Sequence, residues 1–293
     1  DIMLEFVFFT NRVFYDKLYS DAATIMNTDN YNHDHDHNNF VCSAGSILHD
    51  NINFGRTFIT LHGDDYDLQD LERQSMMYLI MHEVGHTLGL SHNFKGSLLL
   101  TTEELNNKEI VNEKGVCSSV MEYPAINIAK NPDDQGLYFD IKPGVYDRWA
   151  IQFGYSVFQN NEDEEIEKIL SKSTNRELAF ANDAFDMRSA GKGTDPDAMI
   201  YDLARDPLNH SLDKIEMVNR IVSEIKDKYT KDNDTYEELY RSYRTLLFSY
   251  YHQVEKNYLK DFLIEIRTMK KLQMKECNSS KKMFCTGRII NMW

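Results

Sequence analysis

The chain has 293 residues, 42% of them hydrophobic and 27% charged, a mixture that supplies one or two ordinary cores and excludes disorder in bulk. Its formal charge of -15, from 32 basic and 47 acidic residues, argues against a nucleic-acid partner and against an anionic membrane surface. No hydrophobic run approaches the roughly 20 residues of a membrane span, so no transmembrane segment is expected.

The first 60 residues carry two strand-like stretches, Leu4 to Phe9 and Arg56 to His62. The opening Ile2-Met3-Leu4-Glu5-Phe6-Val7-Phe8-Phe9 is interrupted by Glu5 and lacks a basic flank, so it reads as a buried strand rather than a signal peptide. The absence of an initiator methionine is what a processed or truncated protein shows. Between the two stretches, His33, His35 and His37 alternate with Asp34 and Asp36. That pattern could hold a transition metal or calcium, but no apolar neighbour orders it, and a solvated loop is the expectation.

Residues 68 to 89 carry helical periodicity in Leu71, Met76, Leu79, Val84 and Leu88. Met76 to Met81 is apolar all round, as a buried central helix should be. This helix ends in His82-Glu83-Val84-Gly85-His86-Thr87-Leu88-Gly89-Leu90-Ser91-His92. At about 100° and 1.5 Å per residue, His82 and His86 lie one turn apart on one face and can grip one ion together. If the helix continued, His92 would sit about 9 Å beyond His86 and roughly 120° around the axis, out of reach of that ion. The helix must therefore break, and Gly89 is the residue able to take the left-handed conformation that ends it. Three neutral imidazoles leave the fourth tetrahedral position of a zinc ion open, where water is acidified to a pKa of about 7. Glu83 is too close in sequence to His82 to complete the ligand set and well placed to take a proton from that water. A core helix that merely carries histidines is the plainer account of a His-Glu-x-x-His pair, and Gly89 and His92 at their offsets argue against it.

Past the motif, Thr101-Thr102-Glu103-Glu104-Leu105 has the composition of a capped short helix. Ser119-Val120-Met121-Glu122-Tyr123 follows, with Met121 placed 29 residues after His92 (121 minus 92). Pro143 and Gly144 make an entry to a helix over residues 146 to 155. Residues 161 to 171 begin acidic and end in lysine, an orientation suited to the helix dipole. Residues 212 to 229 and 235 to 270 read as two long amphipathic helices, the second with a stripe of Leu239, Tyr243, Leu246, Tyr250, Val254 and Tyr258 that suits a core face. Four cysteines, Cys42, Cys117, Cys277 and Cys285, allow three full pairings, and a bridge between Cys277 and Cys285 would close a polar loop. No Cys-x-x-Cys pair suggests a second zinc site.

The stretch from His82 to His92 resembles the extended zinc motif of the metzincin metallopeptidases, whose other hallmark is a methionine turn beneath the metal. Ser119 to Tyr123 is similar to the Ser-x-Met-x-Tyr turn of astacins and serralysins. The resemblance implies that Met121 forms an apolar floor under the imidazoles and that Tyr123 stabilises the tetrahedral oxyanion. Ordinary packing of Met121, and no special role for one of 17 tyrosines, are the plainer alternatives. With His92-Asn93-Phe94-Lys95-Gly96-Ser97 and the helix Tyr146-Asp147-Arg148-Trp149-Ala150-Ile151, the chain looks closest to the large bacterial cell-envelope zinc peptidases called Met-zincins. The specific part of this likeness spans residues 76 to 155.

These residues together lead to the expectation of an α+β protein. It would have a metzincin-like core, a twisted sheet over the zinc helix, in residues 1–155, and a mainly helical region in residues 156–293. The expected function is a Zn2+-dependent endopeptidase acting on a protein or peptide substrate. His82, His86 and His92 would bind the metal, Glu83 and Tyr123 would do the chemistry, and Gly89 and Met121 would support the site. A zinc hydrolase limited to short peptides or other amides, and a zinc-braced scaffold module without activity, stay open beside it. Export from the cytoplasm follows from the resemblance alone.

Overall fold

A computed structural model describes residues 44–62, 66–158, 161–185, 195–228 and 236–254. The elements in chain order are α1 (Ala44–His62), α2 (Leu68–Thr87), α3 (Thr102–Leu105), α4 (Lys108–Lys114), α5 (Val145–Tyr155), α6 (Glu162–Leu170) and α7 (Pro207–Lys228). A last helical stretch, α8, covers 236–254.

The expected α+β core with a twisted sheet over the zinc helix is corrected by this architecture: among the described residues there is no strand, and the regular structure is helical. Arg56 to His62, read as a strand, forms the end of α1. Its β-branched Thr57, Ile59 and Thr60 suit a strand in isolation. Viewed from Ala44, however, the buried positions Ala44, Ile47, Leu48, Asn51, Ile52, Phe58 and Ile59 recur at spacings of three and four, with Gly55 in the same row. That is a helix face, and burying it against α2, the loop at Pro124–Ile126 and α7 outweighs the local preference of its last seven residues. Gly55 makes the approach possible, since a Cβ there would lie 2.8 Å from Leu71 Cδ2 and 2.6 Å from Ile126 Cδ1. The Leu4 to Phe9 stretch, the His33/His35/His37 segment, Cys42, Cys277 and Cys285 lie outside the described residues. Cys117 is a free, buried thiol.

Helix α2 starts where Asp67 accepts the N–H of Asp70 at 3.0 Å. Leu71, Tyr78 and Leu79 face the core, but Ile80 and Val84 are 43% and 42% exposed, so the apolar run at its centre is buried on one side only. Thr101 caps α3 with a full capping box, its hydroxyl accepting from Glu104 N–H while Glu104 returns a carboxylate to Thr101 N–H. Helix α6 has four acidic residues in its first turn and Lys168 in its last, the arrangement its dipole favours. On α8 the inward face is narrower than the aromatic stripe suggested: Leu246 is buried and Leu239 and Tyr250 pack on the core, while Tyr243 and Val254 are exposed.

One core joins Phe58 of α1, Leu71 and Tyr78 of α2, Phe139, Ala198, Val218 of α7 and Leu246 of α8. It draws side chains from both sides of residue 155. A smaller core, including Leu100, Leu105, Val111, Cys117 and Leu203, gathers the segment around α3 and α4. The two cores hold between them the loop from Ser118 to Ala129, which carries Met121 and Tyr123.

Candidate metal centre

Helix α2 stops at the residue the spacing required. Gly89 has φ +86°, Leu90 N–H donates to the Gly85 carbonyl at 3.0 Å, and Gly89 N–H donates to that of His86 at 3.0 Å. These two bonds are the Schellman pattern, in which the left-handed residue lets the chain fold back over the last turn. The reversed chain then presents His92 to the face that carries His82 and His86. One ligand nitrogen from each of the three lies within 4.8 Å of the others, and the ring centroids are 4.8 Å (His82 to His86), 4.8 Å (His86 to His92) and 5.4 Å (His82 to His92) apart.

Each ring is gripped from behind through Nδ1. His82 Nδ1 lies 2.7 Å from the carbonyl of Val120. For His86 the partner is the Leu90 carbonyl at 3.0 Å, so the turn that ends the helix also orients a ligand. His92 Nδ1 lies 2.8 Å from a carboxylate oxygen of Asp183, 91 residues further along the chain. Since an imidazole held through Nδ1–H carries its lone pair on Nε2, the nitrogens left to share a cation are the three Nε2 atoms. His86 Nε2 is buried with no hydrogen-bond partner. Burial, then the proximity of His92 and His86, pushes the His82 imidazole well below its ordinary pKa, and burial followed by His92 lowers His86. Three imidazoles that bring one ligand nitrogen each within 4.8 Å of the others fit zinc, which takes nitrogen ligands in this number and leaves a position for chemistry.

Glu83 is buried beside His82 and close enough to His86 to act on it electrostatically. Tyr123 is also buried, and its hydroxyl lies 2.8 Å from His92 Nε2. Thus the structure brings His82, Glu83, His86, His92 and Tyr123 into one constellation. Met121 packs against the helix turn between two of the histidines: a Cβ at Gly85, the fourth residue of His-Glu-Val-Gly-His, would lie 2.3 Å from the Met121 sulfur, so glycine there lets the methionine come this close. Met121 and Asn93 are joined by a backbone bond of 2.9 Å, tying the turn to the residue after the third ligand.

The turn itself is pinned by Asp147 at the start of α5. Its carboxylate accepts from Ser119 Oγ at 2.6 Å, Val120 N–H at 2.9 Å and Gly144 N–H at 2.7 Å. Gly144 packs so closely on Ser118 that a Cβ would meet its carbonyl oxygen at 2.0 Å. The neighbouring Glu122 is fully buried and accepts from Ser97 N–H at 3.0 Å and Tyr123 N–H at 2.9 Å, while burial and Asp202 hold its carboxyl well above the usual carboxylate range. Asp183, Gly85, Asp147 and Glu122 were not assigned to the site by sequence. Gly85 had a signal, as a glycine inside a helical run, and Asp147 sat within a recognised helix; nothing local marks Asp183.

Comparison with curated proteins and with solved structures gives no match. A family profile described as Met-zincin matches residues 65–258, a span that holds the three histidines, Met121 and Asp183. Covering well over half of the chain, with the histidine triad assembled inside it, that match shows that the chain belongs to the Met-zincin family, a group of metzincin-type zinc metallopeptidases.

Proposed function

We propose that the chain is a zinc-dependent endopeptidase, with His82, His86 and His92 holding the metal through Nε2 and Glu83 as general base and then proton donor. The observation that carries this reading is the inward turn of three Nε2 atoms, each imidazole being anchored through Nδ1 by a separate partner. Zinc bound there supplies a Lewis acid that polarises a carbonyl and brings the pKa of water to about 7. Glu83, on the same helix as two ligands, takes the proton from the attacking water and passes it to the departing amine, so that protons balance across the cleavage. Tyr123 donates its hydroxyl to the oxyanion, acting where charge develops rather than on the resting amide. Met121 and Gly89 support the site, one by filling the space beneath the rings and the other by breaking the helix. The substrate is a protein or peptide.

The division at residue 155 into a catalytic unit and a helical region, and a location outside the cytoplasm, belong to the same proposal. The first is drawn from the extent of the motifs and the second from the family likeness.

Glu83→Ala is expected to keep zinc at one equivalent by elemental analysis while hydrolysis of a denatured protein or a peptide library falls about 10²- to 10⁴-fold. Undiminished turnover would remove Glu83 from the mechanism. Cleavage confined to the termini of short peptides would replace the endopeptidase reading by that of a short-peptide hydrolase, and a fourth protein ligand on the zinc would replace both by a scaffold.

A further inference from the structure

Two of the three imidazoles are held by neutral backbone carbonyls, and the third by an anion. Asp183 belongs to the segment 179–185, which returns to the metal centre from far along the chain and is clipped beside His92 by its neighbour Asn93. Asn93, itself fully buried, donates through Nδ2 to the Ala179 carbonyl at 3.0 Å and accepts from Ala181 N–H through Oδ1 at 3.2 Å. Phe94 N–H adds a bond of 2.8 Å to the Ala181 carbonyl. Three hydrogen bonds to residues 93 and 94 thus fix where Asp183 stands. Its carboxylate meets Nδ1 of a ring that is only 3% exposed, whereas the Asp183 side chain itself is 29% exposed. On the far side of the ring, Tyr123 Oη lies 2.8 Å from Nε2, and a hydroxyl serves either as donor or as acceptor there. The carboxylate, an acceptor only, selects the tautomer with the proton on Nδ1, and the hydroxyl is compatible with it.

We infer that Asp183 is a positioning residue for the third metal ligand: its carboxylate fixes His92 as the Nδ1–H tautomer, with the Nε2 lone pair aimed at His82 and His86. It acts through His92 and touches neither the substrate nor the metal. The inference rests on the reading of the triad as a zinc site and assigns part of that site to a residue outside the 76–155 stretch. A carboxylate behind a ligating imidazole raises its basicity as well as fixing its orientation, and loss of such a partner weakens metal binding by roughly 10- to 100-fold.

The test uses the full chain and compares Asp183→Ala and Asp183→Asn with the wild type. In the metal-free protein, nitrogen NMR of the His92 ring should report the Nδ1–H tautomer in the wild type and a mixture or the other tautomer in the alanine variant. Zinc affinity, read by chelator competition, should fall about 10- to 100-fold with alanine and by a smaller factor with asparagine, which can still accept the N–H but carries no charge. Unchanged tautomer and unchanged zinc affinity in a folded alanine variant would overturn the inference. Should the alanine variant fail to fold, wild-type zinc affinity in Asp183→Asn would overturn it equally. A wild-type chain that does not bind zinc would instead remove the peptidase reading, and the metal-free tautomer would still decide the role of Asp183.

Discussion

Two regions of this molecule bury ionisable side chains, and they treat them in opposite ways. Beneath the metal centre, Asp147 and Asp140, two buried carboxyl groups that brace the segment 116–120, are given donors. Asp147 receives three, and Asp140 receives the N–H groups of Val116 at 2.7 Å and Cys117 at 2.9 Å. Between α1 and α7 the opposite holds. Lys214 is 3% exposed and, among the described residues, forms no ion pair; its amine reaches the Ile126 carbonyl and stands 5.5 Å from the centre of the Phe54 ring. It also borders a cavity of about 670 Å³ between α1 and α8, whose lining includes none of the three histidines. Burial lowers its pKa to about 7, and the adjacent His210 imidazole is pushed down to about 3 by burial and then by Lys214. The first region uses buried charge to hold backbone in one arrangement, because an unpartnered N–H in a core is costly. The second tolerates a buried amine at a cost in stability.

The sharpest way to break that contrast is Asp147→Ala. It leaves two backbone N–H groups and a serine hydroxyl buried without their acceptor, so stability should fall by about 3–5 kcal/mol in urea unfolding. Zinc affinity should fall with it, since the turn whose Val120 carbonyl holds His82 loses its anchor. A loss below 1 kcal/mol would show that the carboxylate is not what fixes the turn. At Lys214 the sign reverses. Lys214→Met keeps the volume, removes the buried charge and should stabilise the protein at pH 6 by roughly 1–4 kcal/mol.

The pH dependence follows the same logic. With a folded pKa of about 7 against about 10.4 unfolded, the unfolded chain holds the extra proton between those values. Wild-type stability should therefore rise as pH goes from 7 towards 10, and the methionine variant should lack that rise. Asp140 moves the other way: burial raises its carboxyl to about 7, and the stability it contributes, present below pH 4, is lost as pH climbs to 7. Urea titrations at pH 4, 7 and 10 separate the two. The smallest effect is expected at Thr101, whose capping box is half exposed. Thr101→Ala should cost about 1 kcal/mol and leave zinc affinity alone, giving the scale of a partner that water can replace.

Much of the site was legible because its logic is local. The offsets of His82, His86, Gly89 and His92 force a helix, a left-handed turn and a returning ligand, and φ +86° at Gly89 is that turn. The capping signal at Thr101 and the acidic start of α6 are likewise contained within a few residues. Arg56 to His62 misled because a seven-residue window is too short to tell a strand from a buried helix end. The deciding positions, Ala44 to Ile52, lay outside it. The apolar run Met76 to Met81 misled differently: composition registers hydrophobicity all round, while packing covers only the faces that meet α1 and the turn.

By itself, the sequence determined which three histidines come together, where the helix breaks and which carboxylate stands beside them, because each depends on the pitch of one helix and on the conformational freedom of one glycine. Only the tertiary structure decided what stands behind each ring. The carbonyl that orients His82 comes from 38 residues away and the carboxylate that orients His92 from 91, and contacts of that reach are set by how two cores pack, which no local pattern records.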